Sequence, residues 1–429
     1  MTPSTDLVSL PYGSEQLTFR LPERSLVGIY SPNSLELLGL RPIAEPAAEI
    51  RRALRAPTGA PPLAQELRGA RRVVIAADDL TRQTPNPLLI SAVLDELNTA
   101  GITDDQVTVV IALGTHRAMT PAEIEHHFSP AVTRRVNVVN NPWQDRAQMV
   151  NLGTTPAGTP IQVSKLALEA DYLIGLGSIV PHHIPGYSSG GKIIQPGISG
   201  PAATGATHFL STRTRRSYLG MVENPVRAEI EQIAARVGLR FILNTVLDSS
   251  GRLVGAFAGH PVQAHRAGVA LSERVYGVSI PSPAEIVIAG SHPCDIEFWQ
   301  AHKALYPADR VVTDGGVIIV VTPCPEGVSV MHSDILRFTA LPAEEIEARI
   351  LSGEIKDVVS GALALAWAKM RQHASIYLVS AGISADETSA LGFTAFPTVD
   401  AALQAALAEQ GASARVAVLT HAPDMLPVP

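Results

Sequence analysis

The chain has 429 residues, of which 46% are apolar and 17% charged, and a formal net charge of −7. That length exceeds one ordinary hydrophobic core and predicts two domains, while the low charged fraction excludes a disordered chain. The acidic balance argues against a nucleic-acid binder, which needs a basic face. A small anionic substrate stays compatible if local cations reverse the field at its site.

Two cysteines, Cys294 and Cys324, sit in no CxxC or Cys/His cluster. This argues against a thiolate zinc site and suits a reducing cytoplasm. The opening Met1-Thr2-Pro3-Ser4-Thr5-Asp6 lacks the basic and then apolar pattern of a leader, and no apolar run is long enough to cross a membrane. The expected location is cytoplasmic, with neither membrane nor nucleic acid as a partner.

In chain order, short strands are expected over 17–20 and 26–30, then a helix and connector over 45–67. A regular alternation follows. Apolar, β-branched runs over 72–77, 107–113, 136–139 and 172–176 read as strands, and helical patterns cover 87–97 and 161–169. Thr120-Pro121-Ala122-Glu123 reads as a helix start, with Thr as cap, Pro first and Glu three residues on. Residues 239–246 and 253–256, joined by Asp248-Ser249-Ser250-Gly251, read as a hairpin, and 262–276 as a helix. The turn-rich stretch 277–283 is the expected boundary. Beyond it, strands are expected over 286–289, 317–321 and 376–379, and helices over 295–305, 343–351 and 358–372. Fully apolar strands alternating with helices indicate mostly parallel sheets covered on both faces. There is no internal repeat.

Open parallel sheets bind ligands beyond the carboxyl ends of their strands. Those ends carry Asp78-Asp79-Leu80-Thr81-Arg82, Gly114-Thr115-His116-Arg117 and the segment from Pro181 to Lys192; the helix after the 286–289 strand carries Gln300 and Lys303. Each piece also has a purely structural reading. Asp79 is equally a turn or cap residue with Arg82 as surface partner. His116 alone reads more simply as a hydrogen-bonding structural histidine. His126 and His127 read as solvated. Either of His182 and His183 can work while the other orients the loop. Gln300 and Lys303, three apart, share a helical face; the default is a solvated face, but adjacent Phe298 and Trp299 suggest burial.

Gly186 to Lys192 fits the G-x-x-x-x-G-K opening of a P-loop. However, Ile193 replaces the Mg²⁺-binding Ser/Thr and the loop does not directly follow a strand, so a nucleotide triphosphatase fits poorly. What remains is backbone exposed by Gly190 and Gly191, the hydroxyls of Ser188 and Ser189, and a lysine able to bind a phosphate-bearing group or attach one covalently. Further on, His208 is a candidate metal ligand. A nicotinamide-dependent dehydrogenase would need a G-x-G-x-x-G turn, and the sequence has none. A non-catalytic metal or nucleotide carrier would explain Lys192 and His208, but not His116 with Arg82, Gln300 and Lys303.

Taken in order, Asp79-Leu80-Thr81-Arg82, Gly114-Thr115-His116-Arg117, Pro181-His182, Gly190-Gly191-Lys192 with Pro196-Gly197, His208, and Gln300 with Lys303 resemble the markers of the nickel-dependent lactate racemase family. The resemblance runs from about Arg72 into the C-terminal part. It implies racemisation or epimerisation of 2-hydroxy acids by hydride transfer through a 2-keto acid. The implied cofactor is a nickel-pincer nucleotide, made by other proteins and anchored covalently at Lys192, with His208 as the protein's nickel ligand. His116 and His182 would be the acid/base pair. Arg82, Gln300, Lys303 and Trp299 would contact substrate, and Asp79, Thr81, Ser188, Gly190 and Gly191 the cofactor. Trp299 departs from the tyrosine expected before the glutamine, which puts lactate itself in doubt. The expected architecture is α/β with two domains, 1–277 binding cofactor and 278–429 adding substrate-binding residues, and an active site in the interdomain cleft.

Overall fold

A computed structural model of the chain describes residues 5–22, 26–67 and 69–429. The expectation about a leader, read at Met1 to Asp6, falls largely on residues outside this range. The chain divides into two compact units. The first comprises Ser34–Ser211 and Gly220–Val275; the second comprises Thr212–Leu219 and Tyr276–Pro429 together with the residues up to Asn33.

The first unit is built on a six-stranded sheet. Its strands run in the order Leu253–Gly259, Leu239–Leu247, Tyr172–Ser178, Val73–Asp78, Val107–Ala112, Asn137–Asn140. Every pairing is parallel except the terminal hairpin. The period-2 geometry of a strand explains the fully apolar runs. Val73, Ile75 and Ala77 enter one core with Leu89, Leu94 and Leu97 of the Asn86–Thr99 helix, whereas Val74 and Ala76 enter a second core with Ile193, Ile194 and Ile233. The predicted capping box is present: Glu123 N–H donates to Thr120 Oγ1 (3.3 Å) and Thr120 N–H to Glu123 (2.8 Å).

The expected helix over 161–169 is mostly strand. Pro160–Ser164 pairs antiparallel with Met149–Thr154, and only Lys165–Leu168 is helical. Here Ile161 and Val163 alternate with half-exposed neighbours and bury on one side, a strand period in a stretch too short to reveal it against a helical one.

The second unit carries an all-parallel sheet in the order Thr394–Ala395, Ala374–Val379, Val312–Val321, Ala284–Gly290, Val416–Leu419, Leu26–Tyr30. The last pairing is where the sequence-based division 1–277 and 278–429 differs from the observed units. Leu26–Tyr30 completes the C-terminal sheet against Val416–Leu419, a strand absent from the expectations above. A hairpin of Thr5–Tyr12 and Glu15–Pro22 adds Val8, Leu10, Phe19 and Leu21 to the same core as Ile286, Ile288, Val317 and Ile319. The expected helix over 295–305 begins three residues later, as Phe298–Ala301 continued by His302–Ala304 and Leu305–Val311.

Candidate functional site

The carboxyl ends of the first unit's parallel strands converge through side-chain hydrogen bonds. Thr84 Oγ1 lies 2.8 Å from Asp78 Oδ2 and 2.9 Å from Ser178 Oγ, which in turn lies 2.8 Å from Thr245 Oγ1. Three strand ends are thereby tied before any ligand is considered. Burial of its carboxyl group pushes Asp78 above the usual carboxylate range, opposed by Arg82, the Thr84 hydrogen bond and Lys192.

Asp79 leaves the same strand pointing elsewhere. Its Oδ1 accepts from the Thr81 N–H (3.1 Å) and hydroxyl (2.5 Å), and its Oδ2 lies 2.6 Å from His116 Nδ1. Burial opposes ionisation of Asp79, but His116, Arg82 and the Thr81 hydroxyl outweigh it and hold the carboxyl well below its usual range. The turn bearing His116 is fixed on both sides: Trp143 Nε1 donates to His116 O (2.9 Å), and Gly114 N–H donates to Gly197 O (2.8 Å). Arg82 reaches Thr81 O (3.0 Å) and Oγ1 (2.9 Å). Arg117, by contrast, is clamped to Glu123 (2.8 and 2.9 Å).

His182 and His183 are both buried, with parallel stacked rings 4.7 Å apart. They sit in a small β-turn, Pro181–His182 paired with Gly186–Tyr187. The Ile184 N–H donates to His182 Nδ1 (3.2 Å). A neutral imidazole accepting at Nδ1 carries its proton on Nε2, while one donating from Nδ1 to a carboxylate, as His116 does, accepts at Nε2.

Lys192 lies in the 3₁₀ turn Gly190–Ile193, anchored from behind because Ile193 and Ile194 enter the sheet core. Gly175 makes room for this: a Cβ there would stand 2.6 Å from Ile193 Cγ2. The burial of Ile193 also explains why this segment has no P-loop hydroxyl. Ser188 Oγ is tied to the end of the Tyr172–Ser178 strand, donating to Ser178 O (2.6 Å) and accepting from the Val180 N–H (2.9 Å). Ser189 Oγ is buried with no hydrogen-bond partner among the described residues. In the Pro201–Ser211 helix, His208 Nδ1 donates to Thr204 O (2.8 Å), which fixes the tautomer whose Nε2 can take a metal.

In the second unit Phe298, Trp299, Gln300 and Ala301 are all buried, so the solvated-face alternative fails. Lys303 Nζ bonds to Gln300 Oε1. The Trp299 indole stacks on His332 at 4.0 Å, and His332 Nδ1 lies 2.6 Å from Asp357 Oδ2.

Other residues fall outside the expectations. His127 is not solvated: it contacts Asn86 Nδ2 (2.9 Å) and the Asp78 carbonyl (3.2 Å), because its helix packs over that strand end. Arg227, His265 and Asn244, which hold the Lys192 segment, were not singled out. Asn224-Pro225 signals the start of Arg227's helix, since Asn224 caps it, but nothing in the sequence marks that arginine as buried.

The fold is of the class that carries its chemistry at the carboxyl ends of parallel α/β sheets. Residues 12–220 match the lactate racemase N-terminal domain and 280–425 the lactate racemase C-terminal domain. The chain belongs to the lactate racemase family and is a racemase, an isomerase. Lactate racemase of Thermoanaerobacterium thermosaccharolyticum is 33% identical over 333 residues, 75% of each chain. That of Lactiplantibacillus plantarum is 26% identical over 419 residues, 96% of this chain and 97% of that one. The structure of the lactate racemase apoprotein from Thermoanaerobacterium thermosaccharolyticum matches with a TM-score of 0.86 at 27% identity, covering 99% of this chain and 100% of that one.

Proposed function

We propose that the chain racemises or epimerises a 2-hydroxy acid, with His116 and His182 exchanging the hydroxyl proton, Lys192 as the covalent anchor of a nickel-pincer nucleotide, and His208 as its nickel ligand. The observation that carries this is the opposite fixing of the two imidazoles. In its neutral form His116, whose Nδ1 donates to Asp79, accepts at Nε2, whereas neutral His182, whose Nδ1 accepts from the Ile184 N–H, donates from Nε2. Inversion needs one base and one acid in each direction, with the roles exchanged on the return.

The residues present fit the cofactor. His208 has the tautomer of a metal ligand, Lys192 sits on a rigid turn, and the orphaned Ser189 hydroxyl lies in the same segment. When bound, the nucleotide supplies the acceptor and donor for the C2 hydride, with a 2-keto acid between the two transfers. Asp79, Thr81, Gly190, Gly191 and Ser188 would line it. Arg82, Gln300 and Lys303 bind the substrate carboxylate and hydroxyl, a task suited to guanidinium and ammonium donors. Trp299, stacked on His332, contacts the substrate in place of the expected tyrosine, so the identity of the 2-hydroxy acid is left to the assay. The protein works in the cytoplasm, where the proteins that make the cofactor supply it.

Intact-protein mass spectrometry tests this after expression with those proteins and nickel. A nucleotide adduct is expected on the wild-type chain and not on Lys192→Ala; an unmodified wild-type mass overturns the proposal. A chiral assay over lactate, malate and aldonates then identifies the substrate. Trp299→Tyr is expected to shift the preference toward lactate.

A further inference from the structure

The Lys192 segment is irregular backbone. Gly186, Ser189 and Gly190 all have positive φ (82°, 62° and 59°), so beyond the two-residue pairing of Gly186–Tyr187 with Pro181–His182 the segment does not continue as a strand. Its carbonyls need other donors, and two buried side chains supply them. Arg227, 1% exposed, donates from Nε to Pro185 O (3.2 Å), from Nη1 to Ser189 O (3.1 Å) and from Nη2 to Tyr187 O. His265, fully buried, donates from Nε2 to Ser188 O (2.8 Å). Arg227 and His265 come from the helices Pro225–Val237 and Gln263–Tyr276.

The Ser189 carbonyl also accepts the Lys192 N–H at 3.1 Å, so one oxygen joins the Arg227 guanidinium to the backbone of the lysine. The peptide bond is planar and trans, so holding a carbonyl also aims the next N–H the opposite way. Two peptide units are in fact held at both ends. Tyr187 O takes Arg227 while Ser188 N–H donates to Val180 O (2.9 Å). Ser189 O takes Arg227 while Gly190 N–H donates to Asn244 Oδ1 (3.1 Å). A guanidinium that shares one backbone oxygen with the N–H of the lysine makes a positioning arrangement.

We infer that Arg227 and His265 are positioning residues that hold segment 185–190 in the one conformation able to present Lys192 for covalent attachment of a nucleotide. The attachment rests on the function proposed above; the hold on the segment does not. Three donors in a fixed planar fork match three carbonyls, a match lysine cannot make despite keeping the charge. Charge-assisted hydrogen bonds are each strong enough that losing two should raise local opening about tenfold or more.

The test uses the full chain with Arg227→Lys, His265→Ala and His265→Gln. Hydrogen exchange of 186–192 is read first, without cofactor. Arg227→Lys is expected to speed it about tenfold or more and His265→Ala, which removes one neutral hydrogen bond, about fivefold, with exchange in the Tyr172–Ser178 and Leu239–Leu247 strands unchanged, and His265→Gln, which keeps a donor, is expected to restore it. Unchanged exchange over 186–192, or equal acceleration across the whole unit, overturns the inference. Adduct occupancy at Lys192 is read second, after coexpression with the cofactor-synthesis proteins and nickel. It is expected to fall in step with local exchange in folded variants, and wild-type occupancy in a variant with fast local exchange overturns the role in attachment. If the wild-type chain itself stays unmodified, the nickel-pincer reading fails, and the exchange measurement alone decides the hold of Arg227.

Discussion

At the residue scale, each proposed acid/base histidine has one ring nitrogen committed to a partner of opposite kind: a carboxylate for His116, a backbone N–H for His182. Such partners set which nitrogen does chemistry without touching the substrate. His116→Ala and His182→Ala are each expected to reduce racemisation by roughly 10²–10⁴-fold while leaving the Lys192 adduct in place. Near-normal turnover in either variant removes that histidine from the mechanism. His116, His182 and Lys192 could be proposed from the sequence because each lies in a short pattern of distinctive residue types after a strand. Arg227 could not. A helical arginine beside Val226 and Ile230 looks the same whether it faces water or three carbonyls, and only the path of the 185–190 segment decides that.

At the element scale, the Gln263–Tyr276 helix buries an imidazole. Arg266 Nη1 donates to His265 Nδ1 (3.2 Å) while Nε2 donates to Ser188 O, which is the neutral tautomer. Burial, with help from the charges of Arg227 and Arg266, pushes its pKa well below the usual value, against the Ser188 hydrogen bond. The unfolded chain therefore takes up a proton below about pH 6.5 that the folded one refuses, so stability is full above that pH and falls as pH drops, by up to about 1.4 kcal/mol per unit from this group. Urea unfolding of the wild type at pH 5–8 is expected to show this loss, and His265→Gln to flatten it; an equal slope in the variant assigns the pH dependence elsewhere. Most elements of this unit were legible because its strands are apolar on both faces. The stretch 160–164 was not, since five residues carry too little periodicity to separate strand from helix.

For the whole molecule, the N-terminal residues fold with the far end of the chain. Phe19 is buried among Ile288, Val317 and Ile319, so Phe19→Ala is expected to lower the stability of the C-terminal unit by about 3–5 kcal/mol. Tryptophan fluorescence can follow this in urea, since Trp299 and Trp367 both lie in that unit; an unchanged midpoint would show that the hairpin adds nothing to that core. The sequence by itself determined the α/β class and which polar residue types stand at the strand ends, because hydrophobic period and local motifs are written along the chain. Only the tertiary structure decided that Leu26–Tyr30 pairs with Val416–Leu419, that Asp79 meets His116, and that Arg227 and His265 bond the carbonyls of Pro185, Tyr187, Ser188 and Ser189. Those pairings join residues far apart in sequence, and such contacts leave no periodic trace for a single sequence to show.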